Sequence, residues 1–376
     1  VIKFHTFFTD FYFYGTIQRI LQDQSLSQEE RKEWERILVE MADLALNNQL
    51  AYDAGGETFQ VFQFFPKSEL HCDAWSSGSL FLRLSGLAQI DSDADDTFVL
   101  LEMFGNFLKL LQSGGLSDIP EGQRQSMVAS LENILRLPYC DLARYNQFTP
   151  DGEAIPRPNY TSVEPWGGIS TWFVRKGQPE DAPDLVVNVT VLRSMLVNRA
   201  HWKLFESERA LQAVQGMIAF LHHNVKSQLF RSNRGYSFYI AEFFYAMFAR
   251  LWQEFISLNP LERQRLDPGE KLTYIREEVL SCLTRDLNPA LRALNPLDAA
   301  LAMASAIQLG QASQVLVSQW AEIICAHFQD QRYPYYAYEI FKGKIPTYMV
   351  YGSEATTAAL VYDAIDELEA YLSRVA

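Results

Sequence analysis

The sequence predicts an all-α protein, a double ring of paired helices of the (α/α)6 toroid kind. Three observations lead there. Apolar residues recur with a period near 3.6 along most of the chain. Runs with strand character are confined to short pieces within 57–65. Several helix openings resemble one another and return at a regular spacing.

Taken in order, a helix is expected near 10–24 and a second over 29–48. The second carries Trp34, Ile37, Leu38, Met41, Leu44 and Ala45 as one apolar stripe. Helices follow over 94–112 and 122–136. A long segment, 138–183, is rich in Pro, Gly, Tyr and Trp and is read as a functional loop. Further helices are expected over 184–200, 204–224, 236–258, 269–284, 296–309, 312–328 and 354–374. The openings at 93, 184, 237, 296 and 353 each begin with a residue that can cap, then small or apolar groups. Apart from the first interval, which holds the long loop, they lie fifty to sixty residues apart, one helix pair plus its connections. Strongly apolar helices alternate with more charged ones such as 204–224, which has Lys203, Glu206, Glu208, Arg209 and Gln212 near one end. That alternation suits an inner layer around a cavity and an outer layer facing solvent. About six such pairs would close a ring, and no linker divides it, so residues 1–376 are read as one domain.

Composition narrows the function classes. A net charge of −14 excludes a phosphate-binding surface and therefore nucleic acid as a partner. It also gives no general attraction to anionic lipid. No apolar run reaches the roughly 18 residues of a membrane span. The most apolar stretch, Phe238 to Trp252, contains Glu242 and Arg250. Peripheral contact with a membrane stays open. Cys72, Cys140, Cys282 and Cys325 form no CxxC pair, and His71-Cys72-Asp73 is too short a cluster to face one ion. Free thiols and the lack of a signal-peptide pattern place the chain in the cytoplasm. The 25 Phe, 18 Tyr and 7 Trp fit either a large core or a pocket walled by rings.

The most informative feature is Asp91-Ser92-Asp93-Ala94-Asp95-Asp96, four acids in six residues between apolar stretches. Helix capping accounts for one or two of them. An EF-hand-like calcium loop would use Asp91, Asp93, Asp95 and Glu102, but the sixth position requires Gly and holds Asp96. A magnesium-binding Asp-Asp-x-x-Asp motif fails at Val99. Asp363-Ala-Ile-Asp366 reads as a solvated face. The remaining reading is an acid that protonates carbon. An alkene is a very weak base, so its acid must keep its proton near neutral pH. Burial and neighbouring carboxylates both have that effect.

Asp93-Ala94-Asp95-Asp96-Thr97 resembles the Asp-x-Asp-Asp-Thr motif of class II terpene cyclases such as the squalene–hopene cyclases. Gly168-Ile-Ser-Thr-Trp-Phe173, Pro183 to Leu192 and Tyr351-Gly-Ser353 extend the similarity over most of the chain. Most members of that family have two α-barrel domains; this length fits the monodomain members. The resemblance implies a terpenoid cyclase β-domain-like toroid and protonation-initiated ring closure without a cofactor or metal. It implies as substrate a prenylated aromatic such as geranylgeranylated dihydroxybenzoate. It makes Asp95 the general acid.

Asp93 and Asp96 would support Asp95. Asn188 sits in its helix opening where Asp96 sits in the acid's own, and could hydrogen-bond Asp95. Carbocations can be held against aromatic faces, and Trp75, Tyr139, Trp166, Trp172, Tyr239, Phe243, Phe244, Tyr348 and Tyr351 are the candidates. Two other readings stay open: an (α/α)6 glycoside hydrolase or lyase with two carboxylates across a wet cleft, and a silent toroid that binds lipid or protein.

Overall fold

A computed structural model gives the fold. It describes residues 7–23, 25–62, 92–117, 119–145, 147, 167–171, 173, 183–231, 239, 241–310, 312–328, 338–339, 350–351 and 354–375. These are mostly helical, with two short antiparallel strand pairs. The chain gathers into two compact units. One comprises Val1–Tyr160, Ile169–Asp181 and Ser194–Ala213; the other comprises Thr161–Gly168, Ala182–Arg193 and Val214–Ala376.

In the first unit, α1 (Phe7–Ile20) packs on α2 (Gln28–Leu46) and on α3 (Ala94–Gln112), and α3 also packs on α4 (Glu121–Leu135). A capping box opens α2: Ser27 Oγ accepts from Glu30 N at 3.2 Å, and Glu30 Oε2 accepts from Ser27 N at 3.0 Å. Its buried face is Glu35, Leu38, Val39, Ala42 and Ala45, while Trp34, Ile37, Met41 and Leu44 are half-buried. The stripe expected from sequence is therefore rotated toward Ala42. Between α2 and α3 lies a hairpin, β1 (Leu50–Ala54) and β2 (Glu57–Val61), with Tyr52 opposite Phe59. Its two-residue turn needs positive φ at both centres, and Gly55 (59°) and Gly56 (88°) supply it. A Cβ on Gly55 would also lie 2.1 Å from the Tyr145 ring. Tyr145 ends α5 (Tyr139–Tyr145), a short helix inside the segment expected to be loop.

In the second unit, α11 (Pro296–Gln308) is the hub. It packs against α8 (Ala241–Ser257), α10 (Lys271–Asp286), α12 (Gln314–Ala326) and α13 (Glu354–Val375). Its opening is built by Asn295, whose Oδ1 accepts from Asp298 N at 2.8 Å, and by Pro296 in the first turn. Ala299, Ala300, Ala302 and Ala306 are buried, and side chains this small let neighbouring helices come close. The short helix α9 (Pro260–Leu266) follows α8 and begins with a second capping box, Asn259 and Glu262. It was not expected from sequence, because seven residues are too few for a periodicity signal. The pair β3 (Tyr338–Glu339) and β4 (Val350–Tyr351) is antiparallel.

The remaining helices are α6 (Leu185–Val197) and α7 (Glu208–Lys226). Helix α7 starts four residues later than expected, because residues 201–206 turn through Lys203 at φ 48°. Burial differs from helix to helix. Helices α3, α6 and α11 are buried nearly all round. Helix α4 buries only Met127, Leu131, Ile134 and Leu135, and α12 only Val317, Trp320 and Ile324. One surface expectation is corrected. Asp363 on α13 is buried and paired with Arg250 on α8 at 3.1 Å, so it does not belong to a solvated face. Its neighbours Tyr362 and Ile365 are exposed instead. Among the described residues, no helix is long and apolar enough to cross a membrane.

Candidate active site

The acid motif forms the amino end of α3, and two other stretches of the first unit hold it. Asp93 is the N-cap, in extended conformation, and its Oδ1 accepts from Asp96 N at 2.7 Å. Asp93 N donates to Phe62 O at 3.2 Å, just past the end of β2. The Thr97 hydroxyl answers on the same residue, accepting from Phe62 N at 3.0 Å and donating to Phe62 O at 3.4 Å. The second stretch is Thr171, whose carbonyl accepts from Ala94 N at 2.7 Å. The Thr that completes the motif thus ties the acid helix to the hairpin.

All three acids are nearly inaccessible: Asp93 and Asp95 are 4% exposed and Asp96 is 2% exposed. Burial is the largest influence on Asp96 and pushes its carboxyl well above the usual carboxylate range. The charges of Asp93 and Asp95 push the same way, as does a side-chain hydrogen bond with Asp93 that Asp96 can donate only while protonated. Burial also raises Asp93, to about 7, against hydrogen bonds from Asp96 and from the Asp95 backbone that favour its charged form. The positive end of the helix dipole works in that opposing direction too, yet desolvation wins. The arrangement is a buried carboxyl cluster that retains protons near neutral pH, with Asp96 as donor and Asp93 as acceptor.

An aromatic cluster adjoins this helix. Phe98 follows Asp95 by three positions, on the same side of α3. Its ring meets Trp202 edge-on at 6.1 Å and Tyr139 at 6.3 Å. Tyr139 in turn lies 5.5 Å from Trp202 and 5.6 Å from Phe59. The Tyr139 hydroxyl donates to Gln60 O at 2.8 Å. Tyr139 is fully buried in this packing, with its polar end spent on the hairpin backbone.

Other predicted residues fall in the second unit. Asn188 is fully buried, and its Nδ2 donates to Asp184 O at 2.8 Å, one turn back on its own helix. Tyr239 and Phe243 have ring centroids 6.3 Å apart. Phe244 is fully buried among Phe230, Tyr245 and Phe248, at about 6 Å from each. Of Tyr351, the backbone is described, paired with Tyr338. Trp75, Trp166, Trp172 and Tyr348 lie outside the described residues, as do Cys72 and its neighbours.

Sequence reasoning passed over Phe62 and Thr171, which fasten the motif through backbone atoms. Backbone contacts leave no mark on residue type, so only the phrase Gly168 to Phe173 signalled that region. A groove of about 1200 Å³ runs along α2, lined by Glu30, Trp34, Arg36, Glu40, Ile119 and Gln123 among others, and it shares no residue with the acid cluster. Comparison of the chain with family models, with curated proteins and with solved structures found no match.

Proposed function

We propose that this chain is a class II terpene cyclase, in which Asp95 protonates the terminal alkene of a prenylated aromatic and starts ring closure. A substrate such as geranylgeranylated dihydroxybenzoate would give a polycyclic, sterol-like product, without metal or cofactor. In this reading residues 1–376 form one (α/α)6 toroid and the protein works in the cytoplasm. The observation that carries it is the burial of Asp93, Asp95 and Asp96 together at the start of a buried helix, with Asp93 and Asp96 biased toward their protonated forms. Proton transfer to carbon needs a carboxyl that water does not level, and a dry acid cluster meets that need.

The chemical sequence is short. Asp95 delivers its proton to the alkene, and the cation moves through successive alkenes of a prefolded chain. Aromatic faces hold the intermediate cations. Transfer of a proton to a base or water, from carbon or from an internal hydroxyl that has captured the cation, ends the cascade and leaves an isomer of the substrate. Asp93 and Asp96 keep the acid's surroundings proton-rich.

The test is incubation of the purified protein with geranylgeranylated dihydroxybenzoate, with products identified by mass and NMR. Wild type should give an isomer of unchanged mass with fewer alkenes. Asp95→Asn should lower the rate at least about a thousandfold while the far-ultraviolet circular dichroism stays unchanged. Near wild-type turnover by that variant would remove Asp95 from its role.

A further inference from the structure

Thr171 Oγ1 and Asp96 Oδ1, beside and on the amino end of α3, are among the buried polar atoms with no hydrogen-bond partner among the described residues. Thr171 is 4% exposed, and its carbonyl is already engaged by Ala94 N, two residues before Asp96. Native interiors seldom leave a hydroxyl or a carboxyl oxygen in that condition, because each has lost water and gained nothing. The contact between Ala94 N and Thr171 O brings Thr171 to the helix end that carries Asp96, and one O–H group lying between the two side chains would satisfy both atoms. Its oxygen accepts from Thr171 Oγ1, and its hydrogen is donated to Asp96 Oδ1.

We propose that Thr171 is a positioning residue of the acid cluster, linked to Asp96 Oδ1 through one bound hydroxyl, either water or a hydroxyl group of the substrate. The link decides which oxygen of Asp96 holds the proton. With Oδ1 accepting from the bound hydroxyl, the proton stays on the other oxygen, the one left to serve Asp93. Thr171 thereby acts on the cluster without touching the reacting carbon. The charges that bear on Asp96 are those of Asp93 and Asp95 on its own element. From the hairpin, Phe62 contributes only backbone groups, and these go to Asp93 and Thr97. The next acid on the helix, Glu102, acts on Tyr14 of α1, and Glu35 of α2 accepts from Ser117 N at 2.9 Å.

The substrate arm rests on the cyclase reading; the water arm does not. The test is a titration of the intact protein labelled at the aspartate carboxyl carbons and followed by NMR, for wild type, Thr171→Val and Thr171→Ser. Loss of the donated hydrogen bond should move the upper titration step of the Asp93–Asp96 pair to higher pH by about one unit in Thr171→Val, and Thr171→Ser should restore it. A shift in the free protein identifies water as the bound hydroxyl. A shift that appears only after geranylgeranylated dihydroxybenzoate is added identifies the substrate. Thr171→Ala repeats the measurement should the valine variant fail to fold. Identical titrations in both states overturn the inference, whatever Asp95→Asn does to turnover. Retained turnover in Asp95→Asn beside a shifted Thr171→Val titration would remove the cyclase reading and keep the bridge.

Discussion

Asp93→Asn isolates the electrostatic strain of the acid cluster. Asn keeps a side-chain oxygen able to accept from Asp96 N, the 2.7 Å contact that caps α3, so the helix start is retained. What it removes is an ionisable group whose carboxyl rises from 3.8 to about 7 on burial. Between those values the folded chain binds a proton that the unfolded chain has released. Stability contributed by the group is therefore full at low pH and falls as pH climbs through the folded value. About three pH units at roughly 1.4 kcal/mol each comes to on the order of 4 kcal/mol. Against a net stability of about 5–15 kcal/mol, that is a large share. The variant escapes this loss. It should melt at the wild-type temperature near pH 4 and several degrees above wild type at pH 8, at roughly 2 °C per kcal/mol for a chain this long. Scanning calorimetry of both proteins from pH 4 to 8.5 reads the difference, in which the carboxylates that do not interact with Asp93 cancel, while the change at Asp96 is read together with that at Asp93. Parallel curves, or a variant that loses ground as pH rises, would refute the argument that burial dominates at Asp93.

Three further substitutions test the packing that supports the site. Gly105→Ala on α3 would set a Cβ 2.0 Å from Asn198 Oδ1, whose amide nitrogen donates to Leu101 O at 3.0 Å. It should destabilise the protein by about 1–3 kcal/mol, and adding Asn198→Ala should cost less than the two single changes summed, by denaturant titration. Arg250→Met removes the arginine paired with the buried Asp363 carboxylate and should cost about 3–5 kcal/mol, most of which Arg250→Met with Asp363→Leu recovers. Tyr139→Phe removes the donor to Gln60 O while leaving the ring cluster, and should lower stability by about 1–3 kcal/mol with little change in the near-ultraviolet spectrum.

The helices were legible where their signal was long. The expected 94–112 coincides with α3, and 296–309 and 354–374 fall within a residue of α11 and α13 at each end. Capping residues fixed these ends: Asp93 opens α3, and Asn295 with Pro296 opens α11. Short elements escaped, because β1 alternates only between half-buried and exposed positions and α5 and α9 span two turns each. At Asp363 the reading reversed, since a carboxylate on an amphipathic helix looks solvated until an arginine from α8 is found against it.

By itself, then, the sequence determined that this is a mostly helical chain of alternating buried and half-buried helices with an acid motif at one helix start. Those properties are local: periodicity, capping chemistry and turn residues act within a few positions of one another. Only the tertiary structure decided that the acids are buried, that Asp96 donates to Asp93, and that Phe62 and Thr171 hold the helix end. Desolvation and backbone hydrogen bonds depend on which distant stretches meet, and residue type alone does not encode their meeting.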